Sequence, residues 1–139
     1  SGRSTGGGDW EDLKISFNGS TTDAQYYWKA VYGYSGSTVG SNQGNGNSNA
    51  RLQGNVSAAS ATANTFGTLE MYVPNYAGST AKSVSTDFAS ENNSTATLLG
   101  LATNLWNQTT AINRVTIATS NGNNLAQYST AYLYGIKNS

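Results

Sequence analysis

Short runs in which apolar and polar residues alternate with a period of two, separated by Gly, Asn and Pro, recur along this chain and point to strands. Leu13, Ile15 and Phe17 face one way and Lys14 and Ser16 the other, the pattern of a half-buried strand, and Asn18-Gly19 then marks a turn. Gln25 to Tyr34 reads as a second strand with Tyr26, Trp28, Ala30 and Tyr32 on one face and Gln25, Tyr27, Lys29 and Val31 on the other. Further strands are predicted at Ala50 to Ser57, Thr65 to Val73, Lys82 to Phe88, Thr95 to Thr103, Ile112 to Thr119 and Ser129 to Ile136. With about eight strands and no helical periodicity beyond about two turns, the expected fold is all-β, an antiparallel jelly roll or β-sandwich.

The 139 residues make one ordinary domain. Ser1 to Gly8 is small, polar and Gly-rich, so residues 1–9 are expected to be a flexible arm outside the core and residues 10–139 the single folded domain. The chain opens at Ser1 without Met, as expected of a processed product or a piece of a longer protein. Gly33 to Asn49 reads as one long Gly, Ser and Asn loop, either a binding loop or a plain disordered connector. From Ala111 to Thr119 both faces carry apolar residues, which fits an interior strand or one covered by a neighbouring subunit.

Charge excludes several classes of partner. Only 10% of residues are charged, against about 25% in average soluble proteins. The net charge is zero and Arg3, Lys14, Lys29, Arg51, Lys82, Arg114 and Lys137 stand singly, so there is no basic stripe for nucleic acid. No apolar run approaches the roughly 20 residues of a membrane-spanning helix, and no membrane insertion is expected.

Because the chain contains neither His nor Cys, triads, thiolate nucleophiles, disulfides and histidine or cysteine metal sites are impossible within it. Carboxylates remain, and a glycosidase needs two of them about 5–9.5 Å apart. Glu70 sits inside a predicted strand, but alternation puts it with Thr68 and Tyr72, pointing outward. Asp9, Glu11 and Asp12 lack the order of a calcium loop and read as ordinary solvated charges. The Gly6 to Gly8 run is no phosphate loop, and the five Asn-X-Ser/Thr triplets are what so much Asn, Ser and Thr makes by chance. No catalytic residue, cofactor or metal is expected.

The aromatic residues carry more information. Tyr26, Trp28 and Tyr32 belong on a core face, whereas Tyr27, on the opposite face, and Tyr34, entering the long loop, are the better surface candidates. The candidate ligand-binding residues are therefore Tyr27 and Tyr34 with the adaptable amides Asn42, Asn45, Asn47 and Asn123.

The chain closes with Gly122-Asn-Asn-Leu-Ala-Gln-Tyr-Ser-Thr-Ala-Tyr-Leu-Tyr-Gly-Ile-Lys137, after Ala111-Ile-Asn-Arg-Val-Thr-Ile117. This ending resembles the closing signature of a group of bacteriophage virion proteins, most closely at Leu133-Tyr134-Gly135-Ile136. Trp10-Glu-Asp-Leu-Lys-Ile15, Gly67-Thr-Leu-Glu-Met-Tyr-Val-Pro-Asn75 and the Lys82 strand agree in order. The resemblance implies a jelly-roll module of a tail fibre, spike or capsid decoration, displayed on the virion surface. It also implies a homotrimer, with other virion proteins and host-surface polysaccharide as partners. A stand-alone lectin-like carbohydrate-binding domain is the alternative. A depolymerase using Glu70 with Asp87 or Glu91 is the third reading, and a non-enzymatic role is expected.

Overall fold

Along the second strand, Tyr26, Trp28 and Ala30 are buried and Tyr27, Lys29 and Val31 exposed, so the alternation in the sequence becomes the two faces of a sheet. In the computed structural model, which describes residues 1–46, 52–93 and 97–136, the strands are β1 (Trp10–Phe17), β2 (Tyr26–Tyr34), β3 (Thr38–Asn45), β4 (Leu52–Ser57), β5 (Thr68–Tyr72), β6 (Lys82–Ser90), β7 (Leu98–Trp106) and β8 (Val115–Thr119). They form two antiparallel sheets, a smaller one in the order β4-β1-β8 and a larger one in the order β3-β2-β7-β6-β5. The result is the β-sandwich that the alternation predicts.

The two sheets are joined most firmly at one end. Ile15 and Phe17 from the smaller sheet pack with Tyr26, Val84 and Trp106 from the larger one, and Leu69, Met71, Val73, Ile112 and Val115 close around them. The Tyr26 hydroxyl accepts the Phe17 N–H at 3.0 Å and donates to the Ser20 carbonyl at 3.1 Å, so the buried phenol is satisfied by the other sheet. A second cluster, Trp28 with Ala30 and Ala102, follows it along the same face of the larger sheet. Beside it, buried Thr86 and Asn104, the partners of Ala102 and Trp28, bond to each other at 3.2 Å and interrupt the apolar interior.

Several expectations need correction. Residues 33–49 are not one loop: Gly33 and Tyr34 complete β2, and Thr38 to Asn45 run back beside it as β3, from Tyr34↔Thr38 to Tyr27↔Asn45. Ser35 and Gly36, both at positive φ, make the short turn between them. Main-chain hydrogen bonds form this edge strand, so its Ser, Asn and Gly side chains gave no apolar signal. Residues 47–49 of that expected loop, and the start of the strand expected from Ala50, lie outside the described residues.

The N-terminal segment is not a free arm. Gly2 pairs with Gly67, the Ser4 N–H donates to the Ser57 carbonyl at 2.8 Å, and Ser4 is buried. The Arg3 guanidinium donates to the carbonyls of Ala61, Thr62 and Thr65, each at 2.9 Å. Its charge is thus satisfied by carbonyl dipoles, and the backbone of residues 1–5 is bonded to residues 124–130 on its other side. Glu11 is likewise not a solvated charge. It is 4% exposed and accepts from the Ser4 hydroxyl, from the Asn121 N–H at 3.3 Å and from the Asn123 amide at 3.0 and 3.1 Å.

The C-terminal strand is absent from the sheets: residues 129–136 form no described strand, and Tyr132, Leu133, Tyr134 and Ile136 are exposed. The Ala111 to Thr119 region is not interior either, because β8 is an edge strand of the smaller sheet and Ile117 is 40% exposed.

Glu11 fastens both the N-terminal segment and the turn at residues 121–123, so Glu11→Ala leaves the buried Ser4 hydroxyl and Asn121 N–H without their acceptor. Hydrogen bonds to a charged group contribute about 1.5–3 kcal/mol. Urea unfolding should show Glu11→Ala destabilised by about 2–3 kcal/mol, with hydrogen exchange at residues 2–5 rising more than in β2; equal rates at residues 2–5 would show that Glu11 does not fasten the segment.

Candidate functional site

Further along the sandwich from Phe17 and Trp106, the small residues Ala30, Ala102 and Gly54 sit among larger rings, and the sheets leave a cleft between them. Ala30, Ala102 and Gly54 line it together with Trp10, Trp28, Tyr32, Tyr34 and Phe88, and its volume is about 350 Å³. That lies at the lower end of the range of about 300–1,000 Å³ for small-molecule sites.

Strand period explains how one hairpin supplies nearly half of this wall. The even-numbered residues of β2 face inward, bringing Trp28, Ala30, Tyr32 and Tyr34 into a row, and across the hairpin Ala30 pairs with Asn42 and Tyr34 with Thr38. Tyr32 lies over Gly40, where an added Cβ would come within 2.7 Å of the ring, so the glycine makes room for the aromatic. Opposite, the Trp10 and Tyr34 rings meet edge to face with centroids 5.0 Å apart. Trp10 and Asp12 line the cleft whereas Ile15 and Phe17 enter the core, and the register of β1 with β4 shifts between them at Leu13/Lys14.

Two polar groups converge on this apolar wall. Asp12 accepts a hydrogen bond from the Asn55 amide, its direct partner across β1 and β4. Burial pushes the Asp12 carboxyl above its ordinary range, helped by the nearby Glu11 charge, while the Asn55 bond and Lys14 pull the other way. A half-buried carboxylate beside an amide, under aromatic rings, offers acceptors and donors for neighbouring hydroxyls and flat faces for ring C–H groups.

The sequence-predicted residues divide among three places. Tyr34 and Asn42 both line the cleft, and the Asn42 side-chain oxygen accepts the Gln43 N–H at 2.8 Å. Tyr27 and Asn45 are cross-strand partners on the opposite, outer face of the larger sheet. The amide nitrogen of Asn123 donates to Glu11, and the residue lies away from the cleft. Asn47 lies outside the described residues. Trp10, Asp12 and Asn55 escaped the sequence reading because nothing in the alternation shows which strands from opposite sheets leave a gap between them.

A second cavity, about 410 Å³, separates the C-terminal residues Leu133 to Ile136 from Met71, Val73, Ile112 and Val115. It is the space behind a segment that joins no described strand, and it brings together no carboxylate. Glu70 and Asp87 do come together, as direct cross-strand partners on the outer face, but both are exposed and neither lines either cavity. No known protein family, curated protein or solved structure matches this chain.

Asp12 also makes a prediction for stability. Its folded carboxyl holds a proton to higher pH than the unfolded one, so its favourable contribution is fully present below about pH 4 and is lost as pH rises through the folded value. Asp12→Asn keeps an acceptor for Asn55 and removes the ionisation. Thermal melts between pH 4 and 7 should show the parent losing stability relative to Asp12→Asn as pH rises, and a constant difference across that range would refute the assignment.

Proposed function

We propose that this chain is a non-enzymatic surface module of a bacteriophage virion, in a tail fibre, spike or capsid decoration, that assembles as a homotrimer and binds a host-surface polysaccharide. The virion origin rests on the resemblance of the segment from Gly122 to Lys137 to the phage closing signature. The binding role rests on one observation, the cleft in which Trp10, Trp28, Tyr32 and Tyr34 surround the Asp12–Asn55 pair.

Aromatic rings and a paired carboxylate and amide suit a pyranose ring, because its C–H face is apolar while its rim carries hydroxyls that both donate and accept. Tyr and Trp supply this contact with few side-chain torsions to freeze. The cleft is complete within one chain, and that favours the second reading, a stand-alone lectin-like domain, as the source of the same binding.

Both readings are tested on an array of bacterial capsular and lipopolysaccharide glycans, followed by titration of any glycan bound. Trp10→Ala and Tyr34→Ala, at half-buried positions on the cleft wall, should each weaken binding about tenfold, equivalent to about 1.4 kcal/mol. Tyr27→Ala, on the outer face, should leave the affinity of a single site unchanged. An array with no bound glycan, or equal affinities for the parent and both cleft variants, would sink the binding role; tight binding by a monomer would favour the stand-alone lectin.

A further inference from the structure

The outer face of the larger sheet is built unlike an ordinary solvated surface. Its central strand is β7, and the outward residues of β7 include Leu99, Leu101 and Leu105. In the hydrogen-bonded register Leu101 lies beside Val31, and Leu99 lies beside Gly33, which in turn pairs with Val39. Leu101 is 60% exposed and Val39 84%, so these apolar side chains adjoin one another in the open.

Charge on this face is one-sided. Lys29 is on β2, to one side of the leucine row. On the other side Asp87 is the direct partner of Leu101, and Glu70 is the direct partner of Asp87. Two carboxylates opposite each other across adjacent strands repel, an arrangement that a cation from outside would relieve.

We propose that this face is the interface between copies of the chain. The β2 flank of one copy packs against the β5 and β6 flank of the next, with Lys29 set against Glu70 and Asp87 and the β7 leucines turned toward the centre. Cation on one flank and anions on the other make the contact head to tail, and such contacts close into a ring when the rotation allows. Three copies close it with β7 from each nearest the axis. The inference rests on the trimeric reading above and supplies the surface that reading lacks.

Two sets of variants at exposed positions test it, with mass measured by light scattering and sedimentation across a range of protein concentration. Leu101→Glu should convert a trimeric parent to monomer at concentrations where the parent stays associated. Lys29→Glu should raise the dissociation constant at least tenfold, and adding Glu70→Lys with Asp87→Lys to it should restore association. Circular dichroism confirms that each variant is folded. If the parent is trimeric and both Leu101→Glu and Lys29→Glu remain fully associated, the interface lies elsewhere while the trimer stands. If the parent is monomeric at every concentration, both the trimer and this interface fall.

Discussion

One buried phenol holds the two sheets of this sandwich in register. Tyr26 comes from the larger sheet, and its hydroxyl bonds to the Phe17 N–H of the smaller sheet and to the Ser20 carbonyl of the turn between β1 and β2. Its ring stacks on Trp106 at a centroid distance of 6.4 Å, and Phe17 lies 5.5 Å from the same indole. A core built from three aromatic rings in mutual contact fixes the spacing of the sheets at that end, because rings of this size cannot be compressed and leave large cavities if removed. The Trp106 N–H in turn donates to Gln25, which also accepts the Ser20 hydroxyl, so the polar edge of the cluster is tied to the same turn.

With the spacing set there, Ala30, Gly54 and Ala102 leave a gap among the larger side chains further along, and the cleft follows from it. Ala30 and Ala102 stand where the first cluster has Tyr26 and Trp106, and the only large members facing them are Trp28 and the rings on the cleft wall. Backbone approach adds to the effect. A Cβ at Gly54 would lie 2.6 Å from Leu69 Cδ1, and one at Gly100 2.6 Å from Phe88 Cζ, so both strands come closer to their neighbours than a side chain would allow. The cavity thus lies over the paired Ala30 and Ala102 of β2 and β7, between the rings of its wall, with close packing behind it.

This also explains what could be read from the residues alone. Period two placed Tyr26, Trp28 and Ala30 inside, Tyr27, Lys29 and Val31 outside, and Glu70 outward with Thr68 and Tyr72, and all of these positions hold. Such inferences need only the pleat of a single strand. Features that failed depend on partners. The strand β3 carries no apolar alternation because an edge strand can be held by backbone bonds to β2, and the Gly-rich N-terminal segment is fastened by Arg3, whose partners lie more than 50 residues away in sequence, and by Glu11, which joins Ser4 to Asn123, more than 100 residues away. Conversely, residues 131–136 alternate like a strand yet join no described strand, so pattern alone could not place them. Of the cleft, Tyr34 and Asn42 were legible as polar or amphipathic side chains near a turn, while Asp12 and Asn55 required knowing that β1 pairs with β4.

The same alternation gives β2 two separate tasks. Its even-numbered side chains enter the cleft and its odd-numbered ones, Lys29 and Val31 among them, cover the outer face, so a ligand and a second copy of the chain would touch opposite sides of one strand without competing for the same atoms. In a ring of three copies closed through the outer faces, the inward sides of the larger sheets, and the clefts with them, would all lie away from the axis. A cleft of about 350 Å³ has room for only a small ligand, which would limit the affinity of each proposed site. Three such clefts on one rigid body meeting a repeating polysaccharide would convert the second and third contacts into intramolecular events, and avidity can exceed single-site affinity by about 10²–10⁴ when the spacing matches. Weak sites at the periphery and a tight, apolar contact at the centre are therefore complementary: assembly through the outer face is what would make binding through so small a cleft effective.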